Sequence, residues 1–236
     1  MRQSVIIGRL LMLKVLEEQK HLSLVDHGAG KSYLGFILYD LLLKEYPQAH
    51  VYGIEFREQL VKSSEDLADK LGFTHGMSFK AMSVEEAMES TDIPDKVDIT
   101  TALHACDTAT DDAIRFALER QSKYIVLVPC CQAEVAAHLR QNKNTAIKEN
   151  SLSEIWRHPI HTREFGSHIT NVLRCLQLEA RGYQVTVTEL VGWEHSMKNE
   201  LIIARKVAKF KKSARERQLE IIKELGLEEM TERFAY

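Results

Sequence analysis

The stretch SLVDHGAGKS, Ser23–Ser32, decides the fold. It contains most of an apolar run, Leu22–Val25, that is typical of a buried strand. Asp26 and a Gly-Ala-Gly turn follow, and after them apolar residues recur at helical spacing. A strand, an acidic residue, a short glycine turn and a helix form the arrangement that holds a cofactor across the carboxyl end of a parallel strand.

The same stretch also resembles a phosphate-binding loop of the form GxxxxGK[ST]. Aligning that pattern on Gly30, Lys31 and Ser32 requires a glycine at position 25, where Val25 ends the apolar run. Too few loop residues then remain to wrap backbone amides around phosphates. A nucleotide-binding protein of this type is therefore the less favoured alternative.

Composition indicates one globular α/β domain with additions. The chain has 236 residues, of which 44% are hydrophobic and 28% charged, and it has 4 prolines. No run approaches the ~20 apolar residues of a membrane span, so we expect no membrane anchor and a cytoplasmic protein. The net charge of −3 restricts any nucleic-acid binding to a local basic patch. Oligomeric state stays open.

Strand patterns alternate with helical patterns, which predicts a parallel sheet with right-handed crossovers. The last two strands are separated by only a few residues and are expected to pair antiparallel. The predicted strands are 22–25, 50–55, 77–83, 97–106, 124–131, 183–191 and 200–206. Two helices have apolar faces, formed by Leu34, Ile37, Leu38, Leu41 and Leu42 in the first and by Ile169, Val172, Leu173 and Leu176 in the second.

These patterns predict one main domain over residues 1–206, beginning with an amphipathic helix at 1–20. Within it, residues 132–168 break the strand and helix alternation and are rich in Trp, His and Arg, so we expect a substrate-facing insertion there. Residues 207–236 form a basic, helical tail, either a solvated surface helix or an RNA-contacting arm.

Polar residues follow several predicted strands, at the edge where ligands of parallel sheets bind. Asp26 follows the first strand, and Glu55 ends the second at about the spacing from the glycines that is typical of a carboxylate binding two ribose hydroxyls. The structural alternatives are a helix-capping Asp26 and a surface Glu55.

The fourth and fifth strands end in a second polar group, His104, Cys106 and Asp107 after one and Cys130 and Cys131 after the other. A zinc site is disfavoured because no CxxC loop is present, and we expect no metal. Cys130 and Cys131 are either small buried residues or, for Cys130, a nucleophile.

The order of five motifs resembles the class I S-adenosylmethionine-dependent methyltransferases: VDHGAGKSYLGFILYDLL, VYGIE, ALHACDTATDDAI, LVPCC and WEHSMKNELIIAR. The paired HAC and PCC signatures are similar to one branch. That branch includes bacterial proteins of unassigned substrate, the methyltransferase part of the animal protein named for a glutathione-transferase-like C-terminal domain and, more distantly, tRNA 2′-O-methyltransferases. The resemblance extends from about Ser23 to Lys206.

The resemblance implies a Rossmann-like fold, with a seven-stranded, mostly parallel sheet, helices on both faces and an antiparallel edge hairpin. It also implies S-adenosylmethionine as cofactor. Asp26, Gly28, Ala29 and Gly30 would approach its methionine part, Glu55 its ribose, and Met82 and Ser83 its adenine. His104 and Cys106 would lie beneath the methyl donor. Lys31 would pair with the cofactor carboxylate or stay exposed to solvent.

Methyl transfer requires alignment of the acceptor and, for a hydroxyl or amine, removal of a proton. His104 and Asp107 are the best-placed titratable residues, and Cys130 is a candidate nucleophile for a cytosine acceptor. Among acceptors, RNA is slightly favoured over protein or small molecules. This preference rests on a segment within residues 132–168 whose aromatic and basic side chains could stack on bases and contact phosphates, namely Trp156, His158, His161, Arg163, Phe165 and His168. A non-catalytic module that binds S-adenosylmethionine or RNA is the alternative.

Overall fold

A computed structural model describes residues 21–103, 105, 107–129, 132–141, 151–190 and 200–235. In these residues, a seven-stranded sheet has the strand order 3-2-1-4-5-7-6. The strands are β1 (Leu22–His27), β2 (Ala49–Glu55), β3 (Met77–Ala81), β4 (Ile99–Ala102), β5 (Tyr124–Leu127), β6 (Tyr183–Glu189) and β7 (Glu200–Lys206). The first five strands pair in parallel, and β7 runs antiparallel to both β5 and β6.

Within the described ranges, four helices connect the parallel strands β1–β5, two lie between β5 and β6, and two follow β7. They are α1 (Tyr33–Leu38), α2 (Glu58–Leu71), α3 (Val84–Glu89), α4 (Thr108–Glu119), α5 (Glu134–Gln141), α6 (Pro159–Ala180), α7 (Lys212–Glu224) and α8 (Thr231–Ala235). The predicted fold class, a mostly parallel sheet with an antiparallel hairpin at one edge, is confirmed. We call the side of the sheet where β1–β5 end its carboxyl edge and the opposite side its amino edge.

The predicted strand bounds agree with the structure to different degrees. The predicted bounds of β7 match the structure, whereas β4 and β5 end several residues earlier than predicted. The predicted strand over 97–106 was wrong at its C-terminal end because the chain turns into a loop after Ala102, and Asp107 then adopts a φ of 52° before α4.

The apolar face predicted for α1 was wrong in part. Ile37 and Leu41 are exposed, while Leu38 and Leu43 are buried. Ile37 lies in the regular part of the helix, whereas Leu41 lies in a π-helical turn over Tyr39–Leu43, in which the amide of Lys44 donates to the carbonyl of Tyr39. Five residues per hydrogen-bonded turn rotate the following side chains away from the face that a regular α-helix would bury.

The segment 132–168 contains α5 and the first half of α6, and its role as a substrate-facing insertion stays a prediction. Pro159 occupies the first turn of α6, where a proline costs no hydrogen bond. The buried face of this half consists of Thr162, Gly166 and Thr170 rather than large apolar residues. A Cβ on Gly166 would lie 2.7 Å from the backbone nitrogen of Ala136, so glycine lets α5 and α6 approach closely.

The C-terminal segment packs onto this part of the domain. Ile222, Leu225 and Phe234 share a buried cluster with Leu139 and Leu173. Hydrogen bonds also join these elements, because the side-chain amide of Gln218 on α7 donates to the carbonyls of Leu173 on α6 and Phe234 on α8, at 2.9 and 2.8 Å. The helix predicted after Ser213 is therefore present, with one face buried against α6. The division into domain and tail remains a prediction.

The basic stretch that begins the tail lies at the amino edge. Arg205 pairs with Tyr124, the first residue of β5, and Lys206 pairs with Tyr183, the first residue of β6. Lys209 and Lys211 follow directly and are exposed. This stretch is therefore on the far side of the sheet from the ends of the parallel strands. Among the described residues, no helix is both long enough and apolar enough to cross a membrane.

Candidate functional site

The turn after β1 follows a left-handed path that shapes the carboxyl edge. Gly28 and Gly30 have φ values of 62° and 59°, a region that residues with a Cβ enter at a cost. The amide of Ala29 donates to the carbonyl of Ile54 at 3.0 Å, which fixes the turn over the end of β2. Gly28 is exposed and lines a pocket, so the missing side chain leaves the backbone open to a ligand.

The hydroxyl of Ser32 is buried and therefore not accessible to a phosphate or a magnesium ion. The Ser32 Oγ would lie 2.6 Å from a Cβ on Gly35 and 3.4 Å from one on Gly53. The hydroxyl therefore points into the contact between α1 and β2. In a phosphate-binding loop this group contacts the metal ion, so the geometry argues against the nucleotide-binding alternative. Lys31 is exposed and does not line the pocket.

Glu55 ends β2 beside the glycine turn. Its Oε2 accepts a hydrogen bond from the amide of Gly30 at 2.9 Å. Arg57 binds the same carboxylate through Nε at 2.8 Å and Nη2 at 3.2 Å. Burial alone would raise the pKa of Glu55, but the hydrogen bonds from Arg57 and Gly30 outweigh burial and hold that pKa below its usual value. Glu55 is therefore ionised.

A pocket of about 250 Å³ opens next to Glu55. The ends of β1, β2 and β3 and the start of α4 enclose it. Met82 and Ser83, both predicted to face a cofactor, are among its lining residues. Ser83 also caps α3, because its Oγ accepts from the amide of Glu86 at 3.2 Å. The other lining residues are His27, Gly28, Ile54, Glu55, Phe56, Val84, Glu85, Ala105, Ala109 and Asp112.

The charges around this pocket are acidic. Glu55, Glu85 and Asp112 line it, and none of its described lining residues is a lysine or arginine. Burial raises the pKa of Asp112, and the nearby charge of Glu85 raises it further. Such a pocket suits a cationic ligand, because a positive charge would relieve the repulsion among the carboxylates.

Asp26 and His27 are adjacent on β1 and both are buried. The hydroxyl of Thr101 donates to Asp26 Oδ1 at 2.6 Å and ties β1 to β4. Burial raises the pKa of Asp26 to about 7, and the Thr101 hydrogen bond opposes that rise. Burial lowers the pKa of His27 to about 3, so its imidazole is neutral. Its ring packs edge-on against Phe116, with the centroids 4.4 Å apart.

Of the candidate catalytic residues, Asp107 is described, and it joins the loops after β4 and β5. Its Oδ1 accepts a hydrogen bond from the amide of Ala133 at 3.2 Å. Its backbone has a φ of 52°, a conformation that costs about 1–3 kcal/mol outside glycine. His104 and Cys130 lie outside the described residues, as do Cys106, Cys131 and the EHSMKN motif at 194–199.

Three residues at this edge were not predicted from the sequence. Phe56 lines the pocket with 76% of its surface exposed, and its position directly after Glu55 could have drawn attention to it. Asp112 reaches the pocket from α4, and no local pattern indicates that. Arg174 of α6 is fully buried and binds Asp111, and because Asp111 lies on another helix, the local spacing gives no signal of the pair.

Residues 3–138, more than half of the chain, match the family model described as a methyltransferase domain. The chain belongs to this family. It is an S-adenosylmethionine-dependent methyltransferase, and the cofactor assignment from the sequence is confirmed at this level. The site fits that cofactor, because S-adenosylmethionine carries a positively charged sulfur and the pocket offers three carboxylates and an open glycine backbone.

Solved methyltransferases share the fold at low sequence identity. One is a candidate caffeoyl-CoA O-methyltransferase from Staphylococcus aureus, with 11% identity and a TM-score of 0.52 over 88% of this chain and 84% of that chain. Another is a Podospora anserina methyltransferase with bound S-adenosylhomocysteine, with 13% identity and a TM-score of 0.51 over 85% and 78%.

A third structure is a candidate rRNA methylase from Clostridium thermocellum, with 11% identity and a TM-score of 0.50 over 79% of this chain and 87% of that chain. These likenesses show the fold alone. A search of curated proteins gives no significant match. In the part of the chain that the structure describes, no group of three or more His, Cys, Asp or Glu residues is arranged to hold a metal ion.

Proposed function

We propose that this methyltransferase acts on RNA. The most direct support is an exposed face with basic and imidazole side chains, formed by the first half of α6 and by His158, which precedes the helix. His158, His161, Arg163 and His168 are exposed there. Imidazole and guanidinium groups donate hydrogen bonds to phosphates and stack on bases, so this face suits a single-stranded or looped RNA.

The position of this face relative to the methyl donor supports the same proposal. The C-terminal end of α6 leads directly into β6 at the amino edge, so its first half lies toward the carboxyl edge. Asn171 confirms that direction, because its Nδ2 donates to Glu200, the first residue of β7, at 2.8 Å. An RNA bound along the exposed face would therefore extend toward the cofactor pocket.

One part of the expected RNA surface is excluded. Trp156 is 2% exposed and packs edge-on against Phe165, with ring centroids 5.1 Å apart. A buried indole cannot stack on a base, so the proposed face depends on its histidines and Arg163. The resemblance of the HAC and PCC signatures to a branch that includes tRNA 2′-O-methyltransferases remains part of this proposal.

The reaction would proceed by direct displacement. S-adenosylmethionine supplies a methyl group on a positively charged sulfur, and the acceptor's lone pair forms the new bond to carbon as the electrons of the carbon–sulfur bond return to sulfur. The enzyme's own contribution is to hold the acceptor in line and to take its proton. We assign proton removal to His104 or Asp107, and we assign the tight glycine turn and Glu55 to cofactor binding.

The test is methyl transfer from labelled S-adenosylmethionine to three separate fractions: unmodified RNA transcripts, cell protein and small-molecule extract. We expect nuclease-sensitive label in the RNA fraction. Label confined to the protein or small-molecule fraction would overturn the RNA assignment. Binding of S-adenosylmethionine with no label in any fraction would favour the non-catalytic alternative.

Two double variants on opposite edges of the sheet locate the RNA surface. His161→Ala with Arg163→Ala should raise the KM for RNA several-fold while the Kd for S-adenosylmethionine stays unchanged. Lys209→Ala with Lys211→Ala removes two exposed basic groups from the amino edge and should leave both constants unchanged. The reverse pattern would place the RNA on the amino edge instead.

Three variants test the assigned chemistry. Asp107→Asn and His104→Ala should each reduce kcat if the acceptor must lose a proton. Cys130→Ala with retained activity would exclude a cysteine nucleophile.

A further inference from the structure

Arg174 on α6 binds two parts of the segment that follows β4. Its Nε donates to Asp111 Oδ1 at 2.7 Å and its Nη2 to Asp111 Oδ2 at 2.8 Å, so the guanidinium holds the carboxylate in a two-point contact. The same Nη2 donates to the backbone carbonyl of Asp107 at 2.9 Å. The side chains of Arg174 and Asp111 are 1% and 6% exposed.

Hydrogen bonds lead from Arg174 back to Asp107 by a second route. Arg174 Nη1 donates to Asn171 Oδ1 at 3.3 Å, and the same oxygen accepts from Gln132 Nε2 at 3.0 Å. Gln132 is followed by Ala133, whose amide donates to Asp107 Oδ1 at 3.2 Å. The contacts therefore form a closed ring that joins the loop after β4, the loop after β5 and α6.

Two further bonds anchor this ring to the rest of the carboxyl edge. Ser167 donates to Gln132 Oε1 at 2.6 Å, and Asn171 donates to Glu200 Oε2 at 2.8 Å. The ring thus also reaches the first residue of β7. The contacts therefore connect the loops after β4 and β5, the first turn of α4, the helix α6 and the first residue of β7.

Stability alone is a poor reason for this arrangement. A buried ion pair is often no more stable than apolar residues of the same volume, because removing two charges from water is costly. Asp107 supplies a more specific reason. Its positive φ is unfavourable without glycine, and both its carbonyl and its carboxylate are held by the ring.

We propose that Arg174 is a positioning residue. By holding Asp107 and, through Asn171 and Gln132, the start of α5, it fixes the loop after β4 relative to the loop after β5. Ala105, which lines the cofactor pocket, lies in the first of these loops. The ring therefore sets the geometry in which an acceptor meets the methyl donor. This proposal rests on methyl transfer at this edge, and it does not depend on RNA being the acceptor.

Two variants separate positioning from packing. Arg174→Lys keeps the charge but cannot bind Asp111 at two points and Asp107 as well. The double variant Asp111→Leu with Arg174→Met replaces the ion pair with apolar side chains of similar volume and should unfold at a similar temperature. Arg120→Lys is the matched control, because Arg120 is also buried but donates to carbonyls of residues 87–94.

The readout is hydrogen exchange at the Ala133 amide and at the N-terminal end of α4, which requires no acceptor. Both Arg174 variants should raise exchange of the Ala133 amide about tenfold, whereas Arg120→Lys should leave it unchanged. Exchange within twofold of the parent protein in the folded double variant, or in Arg174→Lys, would overturn the proposal.

Kinetics then test the catalytic consequence with whichever acceptor is methylated. Arg174→Lys should lower kcat at least tenfold while the Kd for S-adenosylmethionine changes less than threefold. An unchanged kcat would show that the ring does not position the reacting groups. Failure of the RNA assignment would leave the exchange result intact, so the two proposals fail separately.

Discussion

The amide of Gly30 and the side chain of Arg57 both bind the Glu55 carboxylate, at 2.9 Å and 2.8 Å. The backbone amide of Arg57 adds a bond at 3.1 Å and its Nη2 another at 3.2 Å. A carboxylate offers about four acceptor positions, so these four donors use all of them. The hydroxyls of a ribose must therefore replace the Arg57 guanidinium in order to bind Glu55.

Replacing Arg57 with alanine should tighten cofactor binding. The guanidinium is 67% exposed, and an ion pair made by such an exposed group contributes about 0.2–1 kcal/mol. Removing this competitor should lower the Kd for S-adenosylmethionine by up to about fivefold, measured by calorimetric titration. Arg163→Ala removes a guanidinium of similar exposure, paired with Glu164, and should leave the Kd for S-adenosylmethionine unchanged. Weaker binding in Arg57→Ala would mean that the guanidinium itself contacts the cofactor.

Replacing Glu55 with glutamine should weaken cofactor binding. Hydrogen bonds to a charged group contribute about 1.5–3 kcal/mol, which corresponds to a Kd roughly 10- to 100-fold higher. The same titration measures this change. Glu58→Gln, at an exposed position in the first turn of α2, is the control and should bind like the parent protein. A Kd within twofold of the parent for Glu55→Gln would remove Glu55 from the ribose site.

Alanine variants of two glycines with similar backbone conformations distinguish the effect of backbone strain from the loss of cofactor contact. Gly28 and Gly72 have φ values of 62° and 70°, so alanine at either position should lower the free energy of unfolding by about 1–2 kcal/mol. Gly72 caps α2, and no atom lies within 4 Å of its added Cβ. Only Gly28→Ala should reduce binding of S-adenosylmethionine. Equal loss of binding in both variants would indicate general destabilisation.

Asp26 and His27 should give opposite contributions to the pH dependence of stability. The pKa of Asp26 is raised from 3.8 to about 7, so the folded state holds more protons in that range and the free energy of unfolding falls as pH rises. The pKa of His27 is lowered from 6.5 to about 3, so the unfolded state holds more protons and the free energy of unfolding rises with pH.

The range between the usual and the shifted pKa of Asp26 overlaps the corresponding range of His27. Within this overlap the two contributions to the free energy of unfolding oppose each other, so each is measured in a variant that lacks the other residue. In His27→Phe, the free energy of unfolding should fall by up to about 1.4 kcal/mol per pH unit as pH rises. In Asp26→Asn, it should rise by up to the same amount. Urea unfolding of both variants from pH 4 to pH 7 measures these slopes. Identical pH profiles for the two variants would contradict the assignment.

Replacing Trp156 with alanine should affect folding more than RNA binding. The indole is buried against Phe165, and truncating a buried Trp costs about 3–5 kcal/mol. His158→Ala, two residues later and exposed, should change stability by less than about 0.5 kcal/mol. Denaturant unfolding distinguishes the two. If Trp156→Ala had the stability of the parent protein, the indole would not be part of the core and would again be a candidate for RNA contact.

The alternation of strands and helices could be predicted from sequence because local spacing determines which residues face the core. β7 shows this, since its predicted bounds equal the observed Glu200–Lys206. The pairing of Gly30 with Glu55 could also be predicted, because a glycine turn and a strand-end carboxylate have a regular spacing. The bond between Arg57 and the same carboxylate could not be predicted, because no regular spacing indicates it.

The first half of α6 and the ring around Arg174 could not be predicted in this way. In α6, the apolar residue Val172 is exposed and the charged residue Arg174 is buried, the reverse of the expected pattern. The compensating charge, Asp111, lies on another helix. Local hydrophobic spacing contains no information about a partner so distant in sequence.

The cofactor side and the acceptor side of this edge should therefore form at different times during folding. Gly30 and Glu55 are 25 residues apart, whereas Arg174 is 63 residues from Asp111 and 67 from Asp107. Closing the longer loops costs more chain entropy, and contacts between distant residues slow folding. We expect the β1–α1–β2 unit to gain its native contacts first and the acceptor edge to close last, so that a refolding chain recovers cofactor affinity before it recovers turnover.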